Sequence, residues 1–168
     1  MNKLMIVVIA LFFSTTAFSA DGFDKMYAKY AGNDNITSIN LSKSLITIAS
    51  KFLDENDADV KVLLESIEGV KLMASDKGNH GDLSAEAKQM MRATKYEDLI
   101  KINDDGQYVS VMVDEAADET IREILIFVDS ENEFALISVK GNIDPTQVGK
   151  VLQTLDIDVD GLDVLTEQ

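Results

Sequence analysis

The chain of 168 residues has no cysteine, no tryptophan, one histidine and one proline. Without cysteine it forms no disulfide. Thiol nucleophiles, zinc–cysteine sites, iron–sulfur clusters and lipid attachment at a cysteine are excluded with it. The lone histidine, His80, lies in "DKGNHGD", where flanking glycines predict a mobile, solvated loop that holds a general base poorly. No G-x-S-x-G elbow is present, and no glycine-rich loop leads into a Lys-Ser/Thr helix start to cradle phosphate. Four tyrosines and no tryptophan make no sugar-stacking platform. With 30 acidic residues, some carboxylate pair falls near glycosidase spacing by chance, so such pairs carry no signal.

Positive charge is also scarce. Lys and Arg number 15, and the net charge is −15. Nucleic-acid affinity comes largely from cations that neutralise phosphates, so this chain is a poor nucleic-acid ligand, and docking on anionic lipid is equally disfavoured. The charge suits solubility, divalent cations or a basic partner.

Long apolar runs are absent apart from one. Leu4–Phe13 is ten residues long, well short of the roughly 20 that span a bilayer. Lys3 precedes it, and the small residues Ala17, Ser19 and Ala20 follow. That order predicts a secretory signal peptide over residues 1–19, cleaved between Ser19 and Ala20. Small side chains then stand at −3 and −1, whereas cleavage one residue later would place Phe18 at −3. Removing 19 of 168 residues leaves 149, with a net charge of −16 and no membrane span, which predicts an extracytoplasmic protein, periplasmic or secreted.

Phe23, Met26, Tyr27 and Tyr30 share one helical stripe. "NITSINLS" reads as a strand. Leu45, Ile46, Ile48, Ala49, Phe52 and Leu53 form a helix face, and Val60, Leu63, Leu64 and Ile67 a second one, ended by Gly69. "VKLMAS" reads as a strand, and residues 84–93 as a helix with Ser84 at its N-cap. "EDLIKI" and "QYVSVMV" flank "NDDG", an Asp-Gly hairpin signal, with Val109, Val111 and Val113 on one face. "EILIFV" and "EFALISV" flank "DSENE" and are apolar on both faces, which predicts central strands covered on both sides. "DPTQ" opens a last helix: Asp144 caps it, Pro145 takes the first helical position, Gln147 completes a capping box, and Val148, Val151, Leu152 and Leu155 form its buried face. The fold class is therefore α+β, a mostly antiparallel sheet packed with helices in one domain over residues 20–155. A two-sided apolar sheet also leaves room for a dimer.

The segments "FDKMYAKYAGNDNITSINLSKSLI", "IEGVKLMAS", "YEDLIKINDDGQYVSVMVDE" and "IREILIFVDSENEFALISVKGNID", in that order, resemble domain-of-unknown-function family 4252, small exported proteins of the Bacteroides lineage. The resemblance covers about residues 23–155 and rests on core and turn positions, so it implies no active site. Many members are lipid-anchored. The absence of cysteine departs from that pattern and implies a free protein in the periplasm or beyond. Some members are encoded near envelope sigma-factor systems, which implies a link to envelope response.

One metal-type motif stands in the tail, residues 156–168. "DIDVDGLDVLTE" places Asp156, Asp158, Asp160, Gly161 and Glu167 at EF-hand positions 1, 3, 5, 6 and 12. Only Gln168 follows Glu167, so no exiting helix fits, and Asp163 stands where an aliphatic residue usually bridges to a paired loop. An acidic tail is the first expectation. Calcium is the cofactor if the loop forms, at the weak extracellular range of about 10⁻⁴–10⁻³ M. The expected function is an exported, non-enzymatic binding or interaction module that meets another envelope protein. Weak calcium binding through Asp156, Asp158, Asp160 and Glu167 is the alternative.

Overall fold

The computed structural model describes residues 22–54, 57–75 and 80–148. Among them the order is α1 (Gly22–Tyr30), β1 (Thr37–Ser42), α2 (Lys43–Ser50), α3 (Ala58–Ser66), β2 (Ile67–Ser75), α4 (Gly81–Ala93), β3 (Glu97–Asp104), β4 (Gln107–Glu115), β5 (Ile121–Asp129) and β6 (Phe134–Ile143). The strands form one antiparallel sheet in the order β1-β2-β6-β5-β4-β3, an α+β fold. The doubly apolar strands β5 and β6 occupy its centre.

Strand alternation gives each face its own core. On one face Met112, Leu125, Phe127, Phe134, Leu136 and Met73 meet Phe23 and Met26 of α1 and Leu83 and Ala87 of α4. On the other, Val113, Ile121, Ile143 and Ile67 meet Ile46 of α2, with Leu63 and Leu64 of α3 packed alongside. Val148 joins this second cluster from the helical turn that begins at Pro145. The rest of the second face is half-open, and Ile39 and Ile102 are exposed on it.

The turns follow their residues. Asp105 and Gly106 have φ of 42° and 81°, so both central residues of the β3–β4 hairpin are left-handed, as a type I′ turn requires and Asp-Gly permits. Ser42 caps α2 by accepting a hydrogen bond from Leu45 N at 3.4 Å. Asp144 accepts one from Thr146 N at 2.9 Å, the cap expected of it.

Several expectations need correcting. Ile67 and Gly69 lie in β2; α3 ends at Ser66, because Ile67 turns to extended backbone and pairs with Gly141. The α2 face buries only Ile46 and Ser50, while Leu45, Ile48 and Phe52 are exposed, Phe52 at 83%. Phe52 lies past the helix end at Ser50, and within α2 it is Ile46 that reaches the second core cluster. Helix α4 begins at Gly81, so Ser84 lies inside it and its hydroxyl bonds elsewhere. The Gln147 amide oxygen is buried without a hydrogen-bond partner, so the capping box is not closed. Val151, Leu152 and Leu155 lie outside the described residues, as do the signal segment and the tail.

Asp24 fastens α1 to the sheet. Its carboxylate receives Lys71 Nζ at 2.6 Å from β2 and Lys140 Nζ at 2.8 Å from β6. Burial opposes the charged form, but the hydrogen bonds and charges of Lys140 and Lys71 outweigh it and hold the carboxyl below its ordinary value. A depressed folded-state pKa contributes stability above the unfolded value, near 4, that is lost as pH falls through the folded value. Asp24→Asn should therefore cost about 1–2 kcal/mol at neutral pH, and the gap from the parent should close as pH falls below about 4. Urea unfolding of both proteins across that range checks it.

Candidate functional site

A cavity of about 680 Å³ opens between the C-terminal half of α4 and strands β3 and β4. The size matches sites that take small organic molecules. Helical and strand periodicity place its walls. On α4, Lys88 and Arg92 stand four residues apart and so line one face, with Met91 beside them. On β4, Tyr108, Ser110 and Met112 recur every second residue and point to the same side. Strand β3 adds Lys101 and Asn103, with Lys101 opposite Ser110 in the register.

Three of the chain's 15 cations thus meet in one cavity of a protein with net charge −15. Lys88 Nζ lies 2.7 Å from Asp129 Oδ2 and 5.9 Å from the ring centroids of both Tyr108 and Phe127. Lys101 Nζ lies 2.7 Å from Asp98 Oδ2, whose hydrogen bond holds the ammonium above its ordinary value. Arg92 is exposed and has no ion pair among the described residues. Ser110 is 1% exposed, and its hydroxyl is buried without a hydrogen-bond partner. A buried hydroxyl left unbonded is costly, and a ligand atom in the cavity would satisfy it.

The supporting shell is buried and bonded. Tyr96 donates its hydroxyl to Glu123 Oε2 at 2.8 Å, and Ser138 donates to the other oxygen of the same carboxylate. Glu123 is only 3% exposed. Its carboxylate fixes the Tyr96 ring against the cavity.

A second cavity of about 440 Å³ lies on the other side of Lys88 and Arg92, lined also by His80, Ser84, Asp129 and Ser130. Here the expectation of a solvated loop histidine fails: His80 is 7% exposed. Its Nε2 sits 2.9 Å from the Ser130 carbonyl oxygen and 3.6 Å from Asp129 Oδ1, and its ring lies 6.0 Å from that of Phe134. The adjoining helix start and the β5–β6 turn enclose it, which the flanking glycines did not reveal. Ser84 donates to Asp129 Oδ2 at 2.7 Å, so Asp129 gathers Ser84 and Lys88 beside His80.

Asp156, Asp158, Asp160 and Glu167 lie outside the described residues, and among the described residues no group of three or more His, Asp or Glu is placed to hold a metal. No helix of the described residues is long and apolar enough to cross a membrane. The cavity residues were missed by sequence reasoning. The available signal was the pair Lys88 and Arg92, four apart on one helix of an acidic chain.

A family model described as "Domain of unknown function (DUF4252)" matches residues 30–151. The chain belongs to the DUF4252 family. The match falls inside the span of about 23–155 expected from the resemblance and includes every lining residue of both cavities. No curated protein and no solved structure matches the chain. In this DUF4252 chain β3 and β4, the cavity's outer wall, form the edge of the sheet away from α1–α3.

Proposed function

We propose that this DUF4252 chain is an exported, non-enzymatic binding module of the cell envelope. Its cavity between α4 and β3–β4 takes up a small anionic molecule. The observation that carries the reading is the meeting of Lys88, Arg92 and Lys101 over the unbonded Ser110 hydroxyl. In so acidic a chain, a cluster of cations is a local reversal of the overall field and draws an anion to one place. The charged start and short apolar run at Lys3–Phe13 support export. The non-enzymatic reading draws on the wiring around His80. Ser84 donates its proton to Asp129, not to an imidazole, so it is not set up as an activated nucleophile.

Thermal unfolding in a panel of small anions at constant ionic strength tests it. A ligand that binds only the folded state, at about 100 times its Kd, adds about 2.7 kcal/mol. At least one anion should raise the midpoint of the parent and leave that of Arg92→Ala unmoved. Shifts that persist in the variant, or no shift at all, would contradict the reading. A rise with calcium that Asp156→Ala abolishes would instead support the alternative built on the EF-hand spacing of the tail.

A further inference from the structure

We infer that the ligand is a singly charged organic acid, a carboxylate on an apolar body. The inference rests on the α4/β3–β4 cavity being the binding site and goes further by assigning the ligand's charge and shape.

Charge balance sets the first term. Of the three lining cations, Lys88 is paired with Asp129 and Lys101 with Asp98, both at 2.7 Å. Arg92 alone has no ion pair among the described residues, so one positive charge is left for the ligand. A dianion would have to break one of these pairs or carry an uncompensated charge into the field of a chain with net charge −15. A guanidinium is also the side chain that meets a carboxylate with two parallel hydrogen bonds.

Shape sets the second. Met91, Tyr96, Tyr108 and Met112 supply apolar surface to the cavity wall. Tyr108 stands against Phe127 with centroids 5.8 Å apart in an edge contact, so its ring is held from behind. Met91 and Met112 are flexible and polarisable and adapt to an apolar body of variable outline. An inorganic anion would leave this wall empty. The buried Ser110 hydroxyl adds one hydrogen bond to a polar atom of the ligand.

The test is calorimetric titration of the protein, purified as its host processes it, with octanoate, octanamide, succinate and inorganic phosphate at one ionic strength. Arg92→Gln is the paired variant. Arg92 is exposed, so its replacement should leave the unliganded unfolding midpoint in place, and that midpoint is measured first. Octanoate should bind at least tenfold more tightly than octanamide, succinate or phosphate, and Arg92→Gln should weaken it at least tenfold. If phosphate or succinate binds more tightly and still depends on Arg92, the ligand class is wrong while the cavity reading stands. If octanamide binds as well as octanoate, the carboxylate assignment is overturned. If nothing in the panel binds in an Arg92-dependent way, both fail.

Discussion

Phe127→Ala should remove about 3–5 kcal/mol of stability, the largest loss expected of any single truncation in this core. Phe127 is fully buried in the second half of β5. Its ring makes edge contacts with Tyr108 at 5.8 Å and Phe134 at 5.9 Å, so one side chain joins β4, β5 and β6 beneath α4. Truncation loses the transfer energy of the ring and leaves a void that three rigid strands cannot close. Domains of this size are stable by only about 5–15 kcal/mol, so the loss is a large share of the total. Urea unfolding at neutral pH reads it directly. Tyr108 would also lose its backing, so ligand binding in the cavity should weaken along with stability. A loss below about 1 kcal/mol would mean that this face is far looser than its burial indicates.

Gly141→Ala should cost about 3 kcal/mol, though it adds a single methyl group, because the space is already taken by backbone. A Cβ at Gly141 would lie 2.3 Å from the Ser66 carbonyl oxygen and 3.0 Å from Ile67 Cα. Neither atom belongs to a flexible side chain, so β6 and the start of β2 would have to part. That is where Gly141 pairs with Ile67 before the register shifts, next to the cluster of Ile67, Ile121 and Ile143. Gly81→Ala is the control. Nothing lies within 4 Å of its added carbon, and alanine suits a helix better, so stability should hold or rise slightly. Equal effects at the two positions, measured by the same unfolding experiment, would show that Gly141 is not sterically required.

Much of this fold is written in short-range pattern. The Asp105–Gly106 turn, the alternation of Val109, Val111 and Val113, and the two-sided apolar strands β5 and β6 are local signals that the structure bears out. The pattern misled where a long-range contact decided the outcome. Ile67 has helical spacing behind it, but pairing with Gly141 draws it into β2. Leu45, Ile48 and Phe52 keep helical spacing yet remain exposed, because the short helix α2 reaches the sheet chiefly through Ile46. His80 looked solvated because its burial depends on Ser130 and Phe134, both about fifty residues away. The cavity was illegible for the same reason. Arg92, Lys101 and Ser110 converge only once α4 packs across the sheet and β3 folds back on β4. Cations spread over two elements of an acidic chain give no sign of convergence in the sequence.

The most direct test of the central claim is a crystal structure of the protein grown with octanoate. The carboxylate should lie against the Arg92 guanidinium, with the alkyl chain along Met91, Tyr108 and Met112 and a polar contact at Ser110. Ligand density elsewhere, with this cavity filled by water alone, would contradict the assignment of the site.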